Sequence, residues 1–272
     1  MARVCLAQMT TGSDVSENIA RAERLVVEAA AQGAQLLAFP EVFLFVGPHP
    51  GKLAIAEEIP GPRVQRFCAL AAEHQISLLL GSVHEVVSAD ANAKTTSPTG
   101  QPRVHNTSVL IDATGKVTAT YRKQKLFDID LPETKVRESD SFLAGSQASP
   151  IVPTPIGRVG LAICFDLRFP ELFLDLAARG AEVIFVPSNF TAETGAAHWE
   201  TLLRARAIEN QLFIAAPAQV GQNSASYRSF GHSMVVDPWG RVLSVLADDE
   251  GLVTADIDLA VLAQVRRRLP MR

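Results

Sequence analysis

Cys164 closes the apolar run Arg158-Val-Gly-Leu-Ala-Ile-Cys164 and stands directly before Phe-Asp-Leu-Arg-Phe-Pro-Glu-Leu172. The run is β-branched and apolar enough for a buried strand, and Pro170 followed by Glu171 is a typical first turn of a helix. A thiol lifted above a strand end, beside the positive pole of a helix, is expected to favour its thiolate and to suit attack on a carbonyl. Such an attack needs a base to take the proton and a cation or N–H donors to hold the oxyanion. Glu41, at the end of Leu36-Leu-Ala-Phe-Pro-Glu41, and Lys123, within Tyr121-Arg-Lys-Gln-Lys-Leu-Phe-Asp128, have those chemistries, and each follows a strand-like run. Taken singly, each residue has a plainer reading: a small buried hydrophobe, a solvated loop carboxylate, one charge among Arg122, Lys123 and Lys125. Acyl chemistry therefore requires a fold that brings three strand tips to one edge.

The composition suits such a fold. The chain has 272 residues, 47% hydrophobic and 20% charged, with no Pro/Gly/Ser-rich linker dividing it, so a single domain spanning 1–272 is expected. Apolar runs fall far short of a membrane span, and the start, Met-Ala-Arg-Val-Cys-Leu, enters a strand pattern without a signal-peptide core; a cytoplasmic protein is expected. Cys5, Cys68 and Cys164 are an odd number without close spacing, which argues against a disulfide framework or a CxxC site; Cys5 and Cys68 read as core. A net charge of −4 argues against a general nucleic-acid surface, and Arg266-Arg-Arg268 reads as a solvated helix end.

The elements alternate along the chain. A strand over 3–8, a helix from Ser13-Asp-Val-Ser-Glu-Asn stopped by Gly33, and a strand over 35–39 make a first βαβ unit ending at Glu41. A Pro/Gly-rich loop over 46–51 precedes a helix over 63–74 and a strand over 76–81, and residues 87–101 read as an exposed loop. Runs over 105–111 and 116–121 flank Asp112-Ala-Thr-Gly115, and runs over 231–236 and 241–246 flank Asp237-Pro-Trp-Gly240, giving two similar hairpins. Between them lie the Cys164 unit, a strand over 182–187, a helix over 194–210 and a strand over 211–216; a strand over 251–257 and a helix over 259–268 close the chain. Two βαβ-plus-hairpin halves predict two mixed sheets packed face to face with helices outside.

Three stretches together, Phe39-Pro-Glu-Val-Phe43, Tyr121-Arg-Lys-Gln-Lys-Leu-Phe-Asp128 and Gly160-Leu-Ala-Ile-Cys-Phe-Asp-Leu-Arg-Phe-Pro-Glu171, strongly resemble the nitrilase superfamily of carbon–nitrogen hydrolases, in order and spacing. The resemblance extends to Ala197-His-Trp-Glu-Thr-Leu-Leu-Arg-Ala-Arg-Ala-Ile-Glu-Asn210 and Gly231-His-Ser-Met-Val-Val-Asp-Pro-Trp-Gly240, nearly the whole chain. It implies a four-layer αββα sandwich, α/β in class, with Glu41 as general base, Lys123 stabilising the tetrahedral intermediate and Cys164 as nucleophile. It also implies that the Phe165 backbone N–H completes the oxyanion hole and that Glu138 sits beside the lysine. No metal or organic cofactor is implied; the partners implied are a small-molecule amide and a second copy of the chain. That copy would pair through helices including residues 168–179 and 194–210. Two departures stand out. Lys125 occupies a position where the family often has histidine, adding a charge near the site, and the C-terminal arm of many relatives is absent beyond Leu269-Pro270, which bears on dimer packing.

Within the superfamily, Arg137-Glu-Ser, Leu161 to Leu172 and Leu203-Arg-Ala-Arg-Ala-Ile-Glu are most similar to the branch that hydrolyses deaminated glutathione, with the omega-amidases for α-ketoglutaramate close by. Both substrates carry a carboxylate next to a keto group, which a fixed guanidinium would bind while the amide reaches the thiol. Arg168 matches that position; its alternative is an interface or helix-start salt bridge. Phe190 and Thr194 fall where the family builds a pocket wall. N-carbamoyl amino-acid hydrolysis, nitrile hydrolysis and a non-catalytic scaffold are the remaining readings. Retention of Glu41, Lys123 and Cys164 together argues against the scaffold.

Overall fold

The computed structural model describes residues 1–87, 95–97, 100–130, 135–225 and 227–271. Two six-stranded sheets form its centre. The first runs, edge to edge, β16 (Gly251–Ile257), β1 (Ala2–Gln8), β2 (Leu36–Ala38), β3 (Ser77–Val86), β4 (Val104–Ile111) and β5 (Val117–Arg122). The second runs β15 (Val242–Leu246), β14 (Ser233–Val236), β11 (Phe213–Ala216), β10 (Val183–Phe185), β9 (Gly157–Leu161) and β8 (Ile151–Thr154). Two small hairpins, β6 (Asp128–Asp130) with β7 (Lys135–Arg137) and β12 (Val220–Ser224) with β13 (Tyr227–Phe230), lie outside the sheets. The helices are α1 (Val15–Ala31), α2 (His49–Ile55), α3 (Pro62–His74), α4 (Pro170–Ala178), α5 (Ala192–Asn210) and α6 (Leu259–Arg268).

The two halves share one plan. In each sheet three parallel strands, β1-β2-β3 or β9-β10-β11, are extended on one side by an antiparallel hairpin and on the other by one antiparallel strand. The hairpin turns are twins. Asp112 Oδ1 accepts from the backbone N–H of Thr114 and Lys116, Asp237 Oδ1 from those of Trp239 and Arg241, and Gly115 and Gly240 each take φ of 83°. An aspartate closing its own turn and a glycine in the left-handed region form a strong local signal, which is why both hairpins are readable in the sequence.

Strand alternation builds the layers. Val4, Leu6, Leu36, Ala38 and Leu79 point toward the second sheet and pack with Leu161, Ile184 and Ile214; Cys5, Ala7, Leu37, Leu78 and Leu80 point outward under α1 and α3. On the other side α4 and α5 cover the second sheet through Phe173, Leu176, Trp199 and Leu203. The expected αββα sandwich is therefore observed. Three local differences occur. The loop expected over 46–51 gives way from residue 49 to α2; Cys68 on α3 is half-buried rather than core; and the loop expected over 87–101 lies largely outside the described residues. Among the described residues, no helix is long and apolar enough to cross a membrane.

Candidate active site

The tips of β2, β5 and β9 meet at one edge of the sandwich. Glu41 follows β2 in a loop held by stacked Phe39 and Phe43, 4.7 Å apart, and by Gln219 Nε2, which donates to the Glu41 carbonyl at 2.9 Å. The next residue, Val42, takes φ of 50°, and its N–H is captured by Ser82 Oγ at 2.8 Å. Cys164 takes φ of 47°, with its N–H on the Pro187 carbonyl at 3.0 Å. A branched side chain or a cysteine in the left-handed region costs on the order of 1–3 kcal/mol, and the surrounding hydrogen bonds hold both residues there. Cys164 opens a five-residue 3-10 turn that ends at Arg168, before α4 begins.

Lys123 is the hub. Its Nζ donates to Glu41 Oε1 at 2.8 Å and to both Glu138 oxygens at 2.9 and 2.8 Å. Glu41 Oε1 also accepts from Asn106 Nδ2 at 2.9 Å, and Oε2 from the Asn189 backbone N–H at 2.9 Å. Glu138 Oε2 accepts from the Phe127 N–H at 2.6 Å. Burial works against the ammonium, but the Glu138 and Glu41 carboxylates outweigh it and hold Lys123 well above its ordinary pKa. The structure thus joins Glu41, Lys123, Glu138 and Cys164, from four separate stretches of chain.

The thiol does not behave as its place in the sequence suggested. Burial pushes Cys164 well above the usual cysteine range, and the nearby Glu41 carboxylate adds to the rise; Lys123 and the Asn189 N–H act the other way without prevailing. The sequence expectation of a favoured thiolate is corrected on this point: Cys164 is 6% exposed beside a carboxylate, and the helix that was to stabilise it starts only at Pro170. A protonated thiol beside a carboxylate needs that carboxylate to remove its proton as it attacks.

Cys164 lies between two spaces. On one side is a cleft of about 450 Å³ whose walls include Glu41, Lys52, His84, Asn106, Glu138 and Tyr227. On the other is a narrow crevice formed by Phe127, Phe165, Arg168, Phe190, Thr191 and Thr194. The three residues expected to bind substrate line the crevice, not the cleft. Arg168 sits with its guanidinium 5.8 Å from the Phe165 ring centre and 5.3 Å from that of Phe190, and Nη1 lies 3.3 Å from His198 Nδ1. Among the described residues no carboxylate pairs with it. Phe190 packs on Trp199 at 4.8 Å, and the Thr194 hydroxyl is 2.8 Å from that of Thr191, the residue capping α5. Lys125 lines neither space; its Nζ lies 3.5 Å from Glu171 and 4.5 Å from the Phe169 ring centre. Among the described residues no three His, Cys, Asp or Glu side chains gather as a metal site.

Residues 3–267 match the family model described as carbon-nitrogen hydrolase. The chain belongs to the carbon–nitrogen hydrolase family. The deaminated glutathione amidase of Mus musculus is 42% identical over 270 residues, 98% of this hydrolase and 81% of the mouse protein. The C. elegans NitFhit protein superposes with a TM-score of 0.88 at 38% identity, covering 99% of this chain and 65% of that one, so the hydrolase spans just under two thirds of the fusion protein. A mutant of the amidase from Nesterenkonia sp. AN1 superposes at 0.79 with 28% identity, covering 98% of this chain and 94% of that one. It carries the acetamide moiety of fluoroacetamide covalently added at its active-site cysteine.

Four contributors to the hydrolase's site escaped the sequence reading. Asn106 and Asn189 hold Glu41, and the hydroxyl of Tyr227 donates to the Asn189 carbonyl at 2.5 Å. Asp166 ties the Cys164 turn to the Lys123 segment. Its Oδ2 accepts from Tyr121 Oη at 2.8 Å and the Ile163 N–H at 2.9 Å, and its Oδ1 from the Lys125 N–H at 2.9 Å. Asp166, two residues beyond Cys164, carried a signal as a carboxylate set between apolar Phe165 and Leu167; the other three gave none.

Proposed function

We propose that this hydrolase is a cysteine-dependent amidase for small 2-oxo acid amides, with deaminated glutathione the leading substrate. The observation that carries the reading is the Cys164 thiol beside a buried lysine whose ammonium is shared by the Glu41 and Glu138 carboxylates. Glu41 removes the thiol proton as Cys164 Sγ attacks the amide carbon, and the carbonyl π electrons move to oxygen. Lys123 Nζ and the Phe165 backbone N–H hold that oxyanion. Its collapse breaks the C–N bond, with protonated Glu41 returning the proton to the departing amine and leaving a thioester. Glu41 then deprotonates a water that attacks the thioester, releasing the carboxylic acid and restoring the thiol. Glu138 positions Lys123 and is not required to exchange protons.

Arg168 supplies substrate selection. Its guanidinium, without a carboxylate partner among the described residues, is available to the carboxylate next to the keto group, and the Phe190 and Thr194 walls fix its direction. The mouse relative's name supports deaminated glutathione, whereas α-ketoglutaramate offers the same 2-oxo end with ammonia as leaving group. Exposed Leu174 on α4 and Ile208 on α5, 52% and 44% accessible, support a homodimer paired through those helices. Hydrolysis of deaminated glutathione, α-ketoglutaramate, an N-carbamoyl amino acid and a simple nitrile, with Cys164→Ala as control, tests the assignment. Turnover of either 2-oxo acid amide, lost in the variant, is expected; turnover of the nitrile alone would overturn it.

A further inference from the structure

The far wall of the cleft has open polar valences that the chemistry at Cys164 does not use. His84, on β3, is 2% exposed, and among the described residues neither of its ring nitrogens has a hydrogen-bond partner. It is clasped by aromatic rings, Phe45 at 6.0 Å edge-on and Phe142 at 5.5 Å. Lys52, on α2, places its ammonium 5.0 Å above the Phe142 ring centre. Among the described residues no carboxylate forms an ion pair with it. Burial, with Lys52 and Arg63 nearby, lowers the His84 pKa to about 3, so the ring stays neutral and offers one N–H donor. Burying such a group without a partner is costly unless something else supplies one.

This wall is built. A Cβ on Gly47 or Gly51 would come within 2.5 or 2.2 Å of the Phe45 ring, so both glycines are needed for the 46–51 loop to close over Phe45. His49 Nδ1 lies 3.0 Å from Ser141 Oγ and ties α2 to the segment carrying Phe142. Charge supplies the direction. Around Lys123 the carboxylates of Glu41 and Glu138 outnumber the one ammonium, so an anion entering the cleft needs a cation elsewhere along it.

We propose that Lys52 and His84 form a second anion subsite, which receives a carboxylate carried by the amine half of the substrate while Arg168 holds the 2-oxo acid half. The inference rests on the amidase reading above and names its substrate class: a 2-oxo acid amide whose leaving amine ends in a free carboxylate, as a dipeptide does. Deaminated glutathione has that second carboxylate. α-Ketoglutaramate does not.

The test compares kcat/KM on these two amides for the wild type, Lys52→Met, Lys52→Arg and His84→Phe. Methionine keeps the aliphatic stem over Phe142, and phenylalanine keeps the ring stack. Loss of one charge-assisted contact predicts a fall of about ten- to a hundredfold on deaminated glutathione for Lys52→Met, carried mainly by KM, with Lys52→Arg retaining most of the activity. His84→Phe should give a smaller loss with the same selectivity. On α-ketoglutaramate each change should stay within about threefold, since no charge-assisted contact is lost there. Equal losses on both substrates, or none on either, overturn the subsite. A wild type that cleaves α-ketoglutaramate but not deaminated glutathione overturns it while leaving the 2-oxo acid amide reading intact; a wild type that cleaves neither removes both.

Discussion

The cleft has two ends that are built in opposite ways. At the Cys164 end, both oxygens of Glu41 and Glu138 and the Lys123 ammonium are taken up by protein partners. At the Lys52 end, and again at Arg168 in the crevice, cationic or N–H groups are packed by aromatic rings and, among the described residues, form no ion pair with a carboxylate. Groups that act on the reacting atoms, Lys123 on the oxyanion among them, must stand at fixed distances, so the fold ties them down; groups that hold a remote part of the ligand keep a valence open for it. Strain follows the same division, since the left-handed backbones of Val42 and Cys164 both lie at the saturated end.

The largest effect that would break this contrast comes from the hub. Lys123→Ala should lower kcat about a hundred- to a thousandfold with little change in KM, because the ammonium meets the developing oxyanion more strongly than the ground-state carbonyl. Lys125→Ala, whose charge faces Glu171, should be mild. Steady-state kinetics on one amide decide the matter, and a dominant Lys125 effect would move the site.

Arg168→Lys sharpens the open side. It keeps the charge and loses the planar fork, so turnover of 2-oxo acid amides should fall about tenfold while that of a neutral aliphatic amide barely changes. Equal losses on both would make Arg168 structural.

The smallest effect concerns the clasp between the two halves of the saturated end. Burial pushes Asp166 up to about 6 from an ordinary 3.8, so near pH 5 the folded protein holds a proton that the unfolded chain releases. The stability this contributes is fully present below the unfolded value and is lost as pH rises through about 6. The gap in Tm between wild type and Asp166→Asn should therefore narrow by a few degrees from pH 4 to pH 6. A gap that stays constant contradicts the protonation of Asp166.

What could be read from the sequence was local. Asp112 and Asp237 close their own turns, β1 and β2 alternate inward and outward within a few residues, and Pro-Glu41 and the Cys164 turn are contiguous motifs. These carried the two packed sheets with helices outside, while the gathering of Glu41, Lys123, Glu138 and Cys164 at one edge was legible only through the resemblance of three motifs in register to a known family. What could not be read depends on residues far apart in the chain. The rise of the thiol pKa comes from burial in the folded chain and from Glu41, 123 positions upstream. Asp166 meets Tyr121 across 45 positions. The short α2 hides behind proline and glycine, and its Lys52 acquires meaning only beside His84 and Phe142.

The central claim is that Cys164, held as a thiol, becomes the nucleophile. Mass spectrometry of tryptic peptides after brief exposure to fluoroacetamide or a slowly deacylated amide tests it most directly. A single adduct on the peptide containing Cys164, absent in Cys164→Ala, is the predicted result. An adduct on Cys5 or Cys68 with Cys164 unmodified and turnover abolished would contradict it.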